Sequence, residues 1–192
     1  MFQLLRFSRI HKRSISSFYE LFPKNFPNGK PVWSIDNNKL RKEYRSLQSK
    51  FHPDAIASNH EDNDNKNLSS LINKAYQTLK NPLDRSQYLL KLIKNIDLSN
   101  EEVAQNLTQN DPNLLLTVLD VHEQLEDIDN DFENIKEIEL ENKKRIMNIE
   151  QNLNTLYENQ DYDKIAKLTI ELKYWVNLSK AIKEWEPRVK NQ

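Results

Sequence analysis

Apolar residues in this chain recur every three or four positions and do not alternate, which predicts helices throughout. Leu40, Tyr44, Leu47 and Phe51 keep one face of a helix apolar and point it into a core. Leu68, Leu71, Ile72, Ala75 and Leu79 do the same for a second helix, fit to pack antiparallel on the first. Between them, AIASNHEDNDNKN (55–67) is polar and turn-rich and reads as a loop. Upstream, Ser17-Phe18-Tyr19-Glu20 has capping-box spacing for a short helix with Phe18, Leu21 and Phe22 as its apolar edge, ended by Pro23. Residues 23–33 hold three prolines and the single glycine and form a loop, after which Ser34 or Asp36 can cap the next helix. Asn81-Pro82-Leu83-Asp84 restarts a helix, Asn81 as cap and Pro82 at its first position, with Tyr88, Leu89, Leu92 and Ile93 to bury. Ser99 caps a short helix before the Asp111-Pro112 break.

Three longer helices follow, at about Pro112–Ile128, Phe132–Tyr157 and Tyr162–Trp185, and their short links imply an antiparallel three-helix bundle. Phe132, Ile135, Ile138, Ile146, Ile149, Leu153 and Leu156 give the middle helix a near-heptad seam. In the first, Leu114, Val118, Val121, Leu125 and Ile128 make one stripe; Leu115 and Leu119 share another sector, and Leu116 lies further round. In the last, Ile165, Leu168, Leu172, Trp175, Val176 and Ile182 cluster, whereas Tyr174 and Leu178 project elsewhere. The residues off the stripes either form a surface for a partner or lie under a wider core that includes the helix near 100–108. Asp120 and Glu123 would border such a surface and select a basic partner, or simply form a solvated face.

Charge changes this picture at two places. The 192 residues balance to a net charge of −1, which argues against global nucleic-acid binding. Residues 1–16, however, are acid-free and rich in Arg and Ser, the composition of a mitochondrial transit peptide, with cleavage expected after Arg13; a plain basic tail is the alternative. On the helix beginning near Leu40, Arg41, Lys42 and Arg45 form an exposed cationic stripe opposite the apolar face, with Glu43 the one acid nearby. There is no cysteine and only four scattered histidines, so neither a disulfide nor a zinc site is expected, and no cofactor is implied. No run is long enough to span a bilayer, which points to a soluble mature protein.

That basic helix runs directly into His52-Pro53-Asp54. Pro53 cannot continue the helix, so His52 and Asp54 are presented on a turn. A basic apolar-faced helix, HPD, a polar loop and a second apolar-faced helix together resemble the J domain, the module by which J-proteins stimulate ATP hydrolysis by DnaK-type chaperones. FYELF (18–22), WSID (33–36), LQSKFHPD (47–54), INKAYQTLKNPLDRSQYLL (72–90) and LLLTVLDVHEQL (114–125) narrow the resemblance to HscB-type co-chaperones of iron–sulfur cluster biogenesis. The expected organisation is then all-α: a J domain over 17–95, a connecting segment over 96–111 and a three-helix domain over 112–192 that binds the cluster scaffold protein.

The resemblance implies a mitochondrial-matrix co-chaperone with a DnaK-type chaperone and the scaffold protein as partners, and the absence of a long exposed heptad seam outside the bundle favours a monomer. Arg41, Lys42 and Arg45 would dock on an acidic face of the chaperone, and His52, Pro53 and Asp54 would engage its nucleotide coupling. It also implies Leu114, Leu115, Leu119 and Tyr174 as scaffold contacts, although periodicity places Leu114 in the core. Two departures stand out: the amino-terminal cysteine-rich segment of some members is absent, and Ala55 follows HPD where many J domains carry a base. The same features would fit a J-protein with another client or a helical adaptor without chaperone function. A hydrolase built on His52 and Asp54 lacks a nucleophile, a metal set and a phosphate-binding loop, so no enzyme is expected.

Overall fold

The computed structural model describes residues 15–51, 62–108, 112–128 and 131–185. Among them are a 3₁₀ turn at Phe18–Leu21 and seven α-helices: α1 Asn37–Phe51, α2 Asp62–Lys80, α3 Pro82–Lys94, α4 Glu101–Thr108, α5 Pro112–Asp127, α6 Phe132–Asn159 and α7 Tyr162–Glu184. The expected all-α class holds, and the chain divides into two packed units between Leu89 and Leu90. The expected targeting segment falls almost wholly outside the described residues.

In the first unit, α1 packs on α2 and the 3₁₀ turn packs on α2 as well. The ties between α1 and α2 run in opposite chain directions, Tyr44 to Asn73 and Gln48 to Ser69, so the pair is an antiparallel hairpin. Leu40, Leu47, Leu68, Ile72, Ala75 and Leu79 are buried between them, as their spacing predicts. Tyr44 and Phe51 depart from expectation and are only half-buried. They lie at the border of the apolar face, where a large ring covers the seam instead of entering it. The second helix also begins earlier, at Asp62, so residues 62–67 are helix and not loop. A helix nucleated by the apolar run from Leu68 extends through polar residues at little cost per residue.

The amino-terminal segment is knitted to this hairpin by specific bonds. Ser17 does not cap the turn as expected; its hydroxyl donates to the carbonyl of Gly29 at 3.4 Å. Tyr19 is fully buried and donates to the carbonyl of Val32 at 2.6 Å, and Phe18 stacks on Tyr88 at 4.5 Å. Asp36 caps α1, accepting from the backbone N–H of Asn38 and Lys39 at 3.0 and 3.1 Å. Asn81 caps α3 through the N–H groups of Leu83 and Asp84. One turn into α3, Arg85 donates to the carbonyl of Leu79 at 2.7 Å near the end of α2 and lies over the Trp33 ring at 4.4 Å. A cation at a helix C-terminus complements the dipole there.

In the second unit, α4, α5 and α6 all pack against α7. Asn142 to Ser179 and Arg145 to Trp175 pair α6 and α7 antiparallel. Serving three neighbours, α7 is buried on several sides: Ile165, Ala166, Thr169, Ile170, Leu172, Trp175, Leu178 and Ile182. The expectation that Leu178 projects off the core is therefore wrong: it is fully buried, on a helix against which three others pack. Leu92 and Ile93, expected to be covered, remain 37% and 41% exposed, and Phe132 of the α6 seam is 56% exposed. Asn100, not Ser99, caps α4, through the N–H groups of Glu102 and Val103. Asp131 and Asp161 cap α6 and α7.

Candidate functional site

Two surfaces carry the residues singled out from the sequence, one in each unit. On α1, Arg41, Lys42 and Arg45 are all exposed, and among the described residues none of them enters an ion pair. Glu43, the acid that would have neutralised the stripe, is turned the other way. It is 4% exposed, and its carboxylate accepts from the backbone N–H of Lys24 at 2.8 Å and of Asn25 at 3.0 Å. Fastening the 23–36 loop and clearing negative charge from the stripe are thus one act of this side chain. At the far end of α1, four residues before His52, Gln48 exchanges two hydrogen bonds with Ser69: its amide donates to the Ser69 carbonyl at 3.1 Å and accepts from the hydroxyl at 2.9 Å. This reciprocal tie fixes the end of α1 to α2. His52, Pro53 and Asp54 themselves lie outside the described residues.

The Tyr44 and Tyr76 rings stack at 3.9 Å, only 9° from parallel, and the Tyr44 hydroxyl donates to Asn73 at 3.0 Å. Lys80 lies over the Tyr76 ring at 5.2 Å. The helical reading of the sequence assigned Tyr44 to the core and gave no role to Tyr76 or Lys80. Their common rim position follows from the four-residue spacing of Tyr76 and Lys80 once the hairpin register is known.

On α5, Val118, Val121 and Leu125 are buried, with Ile128 just beyond it, whereas Leu115 and Leu119 are 40% and 56% exposed. The separation of these residues into two sectors by periodicity is therefore real. Leu114 is half-buried, so its assignment to the core stripe holds only in part; it sits at the first turn, where the stripe runs out. Tyr174 on α7 is likewise half-buried. Leu116, which the sequence placed further round without a role, is 57% exposed, the most exposed leucine of the helix. Asp120 and Glu123 are exposed and sit one turn on from Leu116 and Leu119. α5 carries no Lys or Arg, so the charged side chains bordering the apolar patch on this helix are acids, with His122 also one turn on from Leu119.

Beside these surfaces, the electrostatics of the second unit are structural. Asp97, accepting from Lys91 at 2.5 Å and from the Ser99 hydroxyl at 2.6 Å, is held down to about 2 by those two side chains. Among the described residues no group of three or more histidines and carboxylates is arranged to hold a metal.

Comparison with known proteins places the chain in a family. Residues 33–88 match the DnaJ domain, and residues 110–183 match the HSCB C-terminal oligomerisation domain. The chain is 50% identical to the mitochondrial J-type co-chaperone JAC1 of Saccharomyces cerevisiae, covering 93% of each chain. It is 30% identical to the mouse iron-sulfur cluster co-chaperone protein HscB, over 78% of this chain and 62% of that one. A solved structure of the Jac1 co-chaperone from Saccharomyces cerevisiae superposes with a TM-score of 0.79 at 48% identity, covering 94% of this chain and 99% of that one. An exposed cationic hairpin helix leading into HPD, a second unit of HscB type and half of all residues shared with a relative over nearly its whole length agree: the chain belongs to the HscB/Jac1 family of J-type co-chaperones.

Proposed function

We propose that this protein binds the iron–sulfur cluster scaffold protein through its carboxy-terminal three-helix domain, delivers it to a DnaK-type chaperone of the mitochondrial matrix and stimulates that chaperone's ATPase. Residues 1–16 direct import, 17–95 form the J domain, 96–111 connect, and 112–192 hold the scaffold. The observation that carries the reading is the pair Leu115 and Leu119, left 40% and 56% exposed on a helix whose other apolar stripe is buried. Exposed leucines with the acids Asp120 and Glu123 beside them suit a partner segment that is apolar with basic flanks. Leu114 and Tyr174 complete the contact. In the J domain, Arg41, Lys42 and Arg45 govern encounter with an acidic face of the chaperone, while His52, Pro53 and Asp54 govern the ATPase response. The protein works by binding and has no catalytic group of its own.

The test pairs two measurements on the purified mature protein. Binding to the scaffold protein is expected for wild type and lost in Leu115→Ala/Leu119→Ala/Tyr174→Ala with its helical circular dichroism unchanged. His52→Gln should bind the scaffold as wild type does and fail to stimulate the chaperone. No binding by wild type would end the scaffold reading, and equal loss of both activities in His52→Gln would mean that the substitution acts by unfolding.

A further inference from the structure

The docking face assigned above to α1 does not stop at that helix. In the antiparallel hairpin, Tyr44 and Gln48 of α1 meet Ser69, Asn73 and Tyr76 of α2, so these residues form the seam along one side of the pair. At about 100° per residue, Arg41 and Arg45 lie beside Tyr44 and Gln48 on α1, and Lys80 lies beside Tyr76 and Asn73 on α2. The register that sets Tyr44 against Tyr76 brings Lys80 level with the Arg41 end of α1. The seam is closed by the stacked rings, the Tyr44–Asn73 hydrogen bond and the two Gln48–Ser69 hydrogen bonds, and is therefore a firm platform. Lys80, above the Tyr76 ring at 5.2 Å, is restrained by its attraction to the ring face.

Charge on this side is of one sign. From 67 to 80, α2 carries Lys74 and Lys80 and no acid, and the one acid of α1, Glu43, is buried against the backbone of Lys24 and Asn25. We infer that the chaperone-docking surface spans both helices of the hairpin, with the Tyr44–Tyr76 platform at its centre and Lys80 as a further cation that meets the acidic face of the ATP-binding chaperone. This rests on the J-protein function proposed above. An acidic partner resting on the platform would gain from cations on both sides of it, Arg41 and Arg45 on one and Lys80 on the other. Lys74 points to a different sector of α2 and takes no part.

The experiment is stimulation of the chaperone's ATPase as a function of co-chaperone concentration at low and moderate salt, with the full mature chain. Lys80→Glu should raise the half-maximal concentration about fivefold, leave the maximal stimulation unchanged and weaken the salt dependence. Lys74→Glu, which makes the same change in net charge, should behave as wild type. Stimulation by Lys80→Glu indistinguishable from wild type, while Arg45→Glu is impaired, would confine docking to α1 and overturn the inference with the function intact. Equal impairment by Lys74→Glu and Lys80→Glu would reduce the effect to net charge and overturn it equally. A wild-type protein that fails to stimulate would remove the J-protein reading and this inference with it.

Discussion

Glu43 and Asn25 are joined twice: one carboxylate oxygen of Glu43 accepts from the backbone N–H of Asn25 at 3.0 Å and from its side-chain amide at 2.6 Å. The other oxygen takes the N–H of Lys24. A buried acid on the central helix of the hairpin thereby replaces the secondary structure that the proline-rich loop cannot form. Glu43→Ala takes the partner from the Lys24 N–H and leaves the Asn25 N–H only the Phe22 carbonyl at 3.1 Å, and should cost about 1–2 kcal/mol of unfolding free energy, read from urea denaturation of the mature protein. Glu43→Gln keeps an acceptor and the shape, and should lose clearly less.

Asn142 occupies the place in the α6 seam between Ile138 and Ile149 where an apolar residue is the norm. It is 1% exposed, and its amide donates to the carbonyl of Trp175 at 3.0 Å and to the hydroxyl of Ser179 at 2.8 Å. Its Oδ1 is buried with no hydrogen-bond partner among the described residues. Asn142→Leu removes that orphan acceptor, and Trp175 O keeps the Ser179 hydroxyl at 3.2 Å, so stability should stay within about 1 kcal/mol of wild type. Asn142→Asp buries a charge and deletes the donors, and should cost about 3 kcal/mol or more. Thermal unfolding of the three proteins side by side decides the matter; a Leu variant as damaged as the Asp variant would mean that the amide bonds dominate.

The Lys91–Asp97–Ser99 clamp joins the end of α3 to the approach to α4 and predicts a pH response. The Asp97 carboxyl is held at about 2 in the folded protein, below its ordinary value near 4. A lowered carboxylate stabilises the fold above its unfolded value, and that contribution fades as pH falls from about 4 towards 2. Carbon-detected NMR titration of Asp97 should show the low value in wild type and a rise towards the ordinary one in Lys91→Ala.

Helix by helix, the sequence foretells where apolar faces lie far better than what covers them. Residues Leu40, Leu47, Ile72, Ala75 and Leu79 are buried because a spacing of three or four fixes them to one side whatever packs there. Caps set by a single Asx side chain, Asp36 and Asn81, were equally legible, because the bond they make is local. Leu178 and Tyr44 were misplaced for a different reason. Whether a residue at the border of a stripe is enclosed depends on how many neighbours its helix has, and α7 has three while the α1 seam has one. The same holds for the candidate sites. Leu115 and Leu119 stood out because their sector is unneeded by the core, whereas Tyr76 and Lys80 gain meaning only from the antiparallel register, which no local pattern encodes. Glu43 looked like part of a charged stripe, and only the path of the loop explains why it is not.

The position of α7 in the second unit bears on how the chain folds as it is made. It is the last described helix in synthesis order, yet it is the one on which α4, α5 and α6 all pack. Until Ile182 has left the ribosome, the apolar faces of those three helices lack their common floor, and the unit remains an open intermediate with leucines and isoleucines uncovered. The α1–α2 hairpin, complete some hundred residues earlier, needs nothing from downstream to close its seam. A nascent chain of this protein therefore closes its α1–α2 hairpin while the second unit is still open.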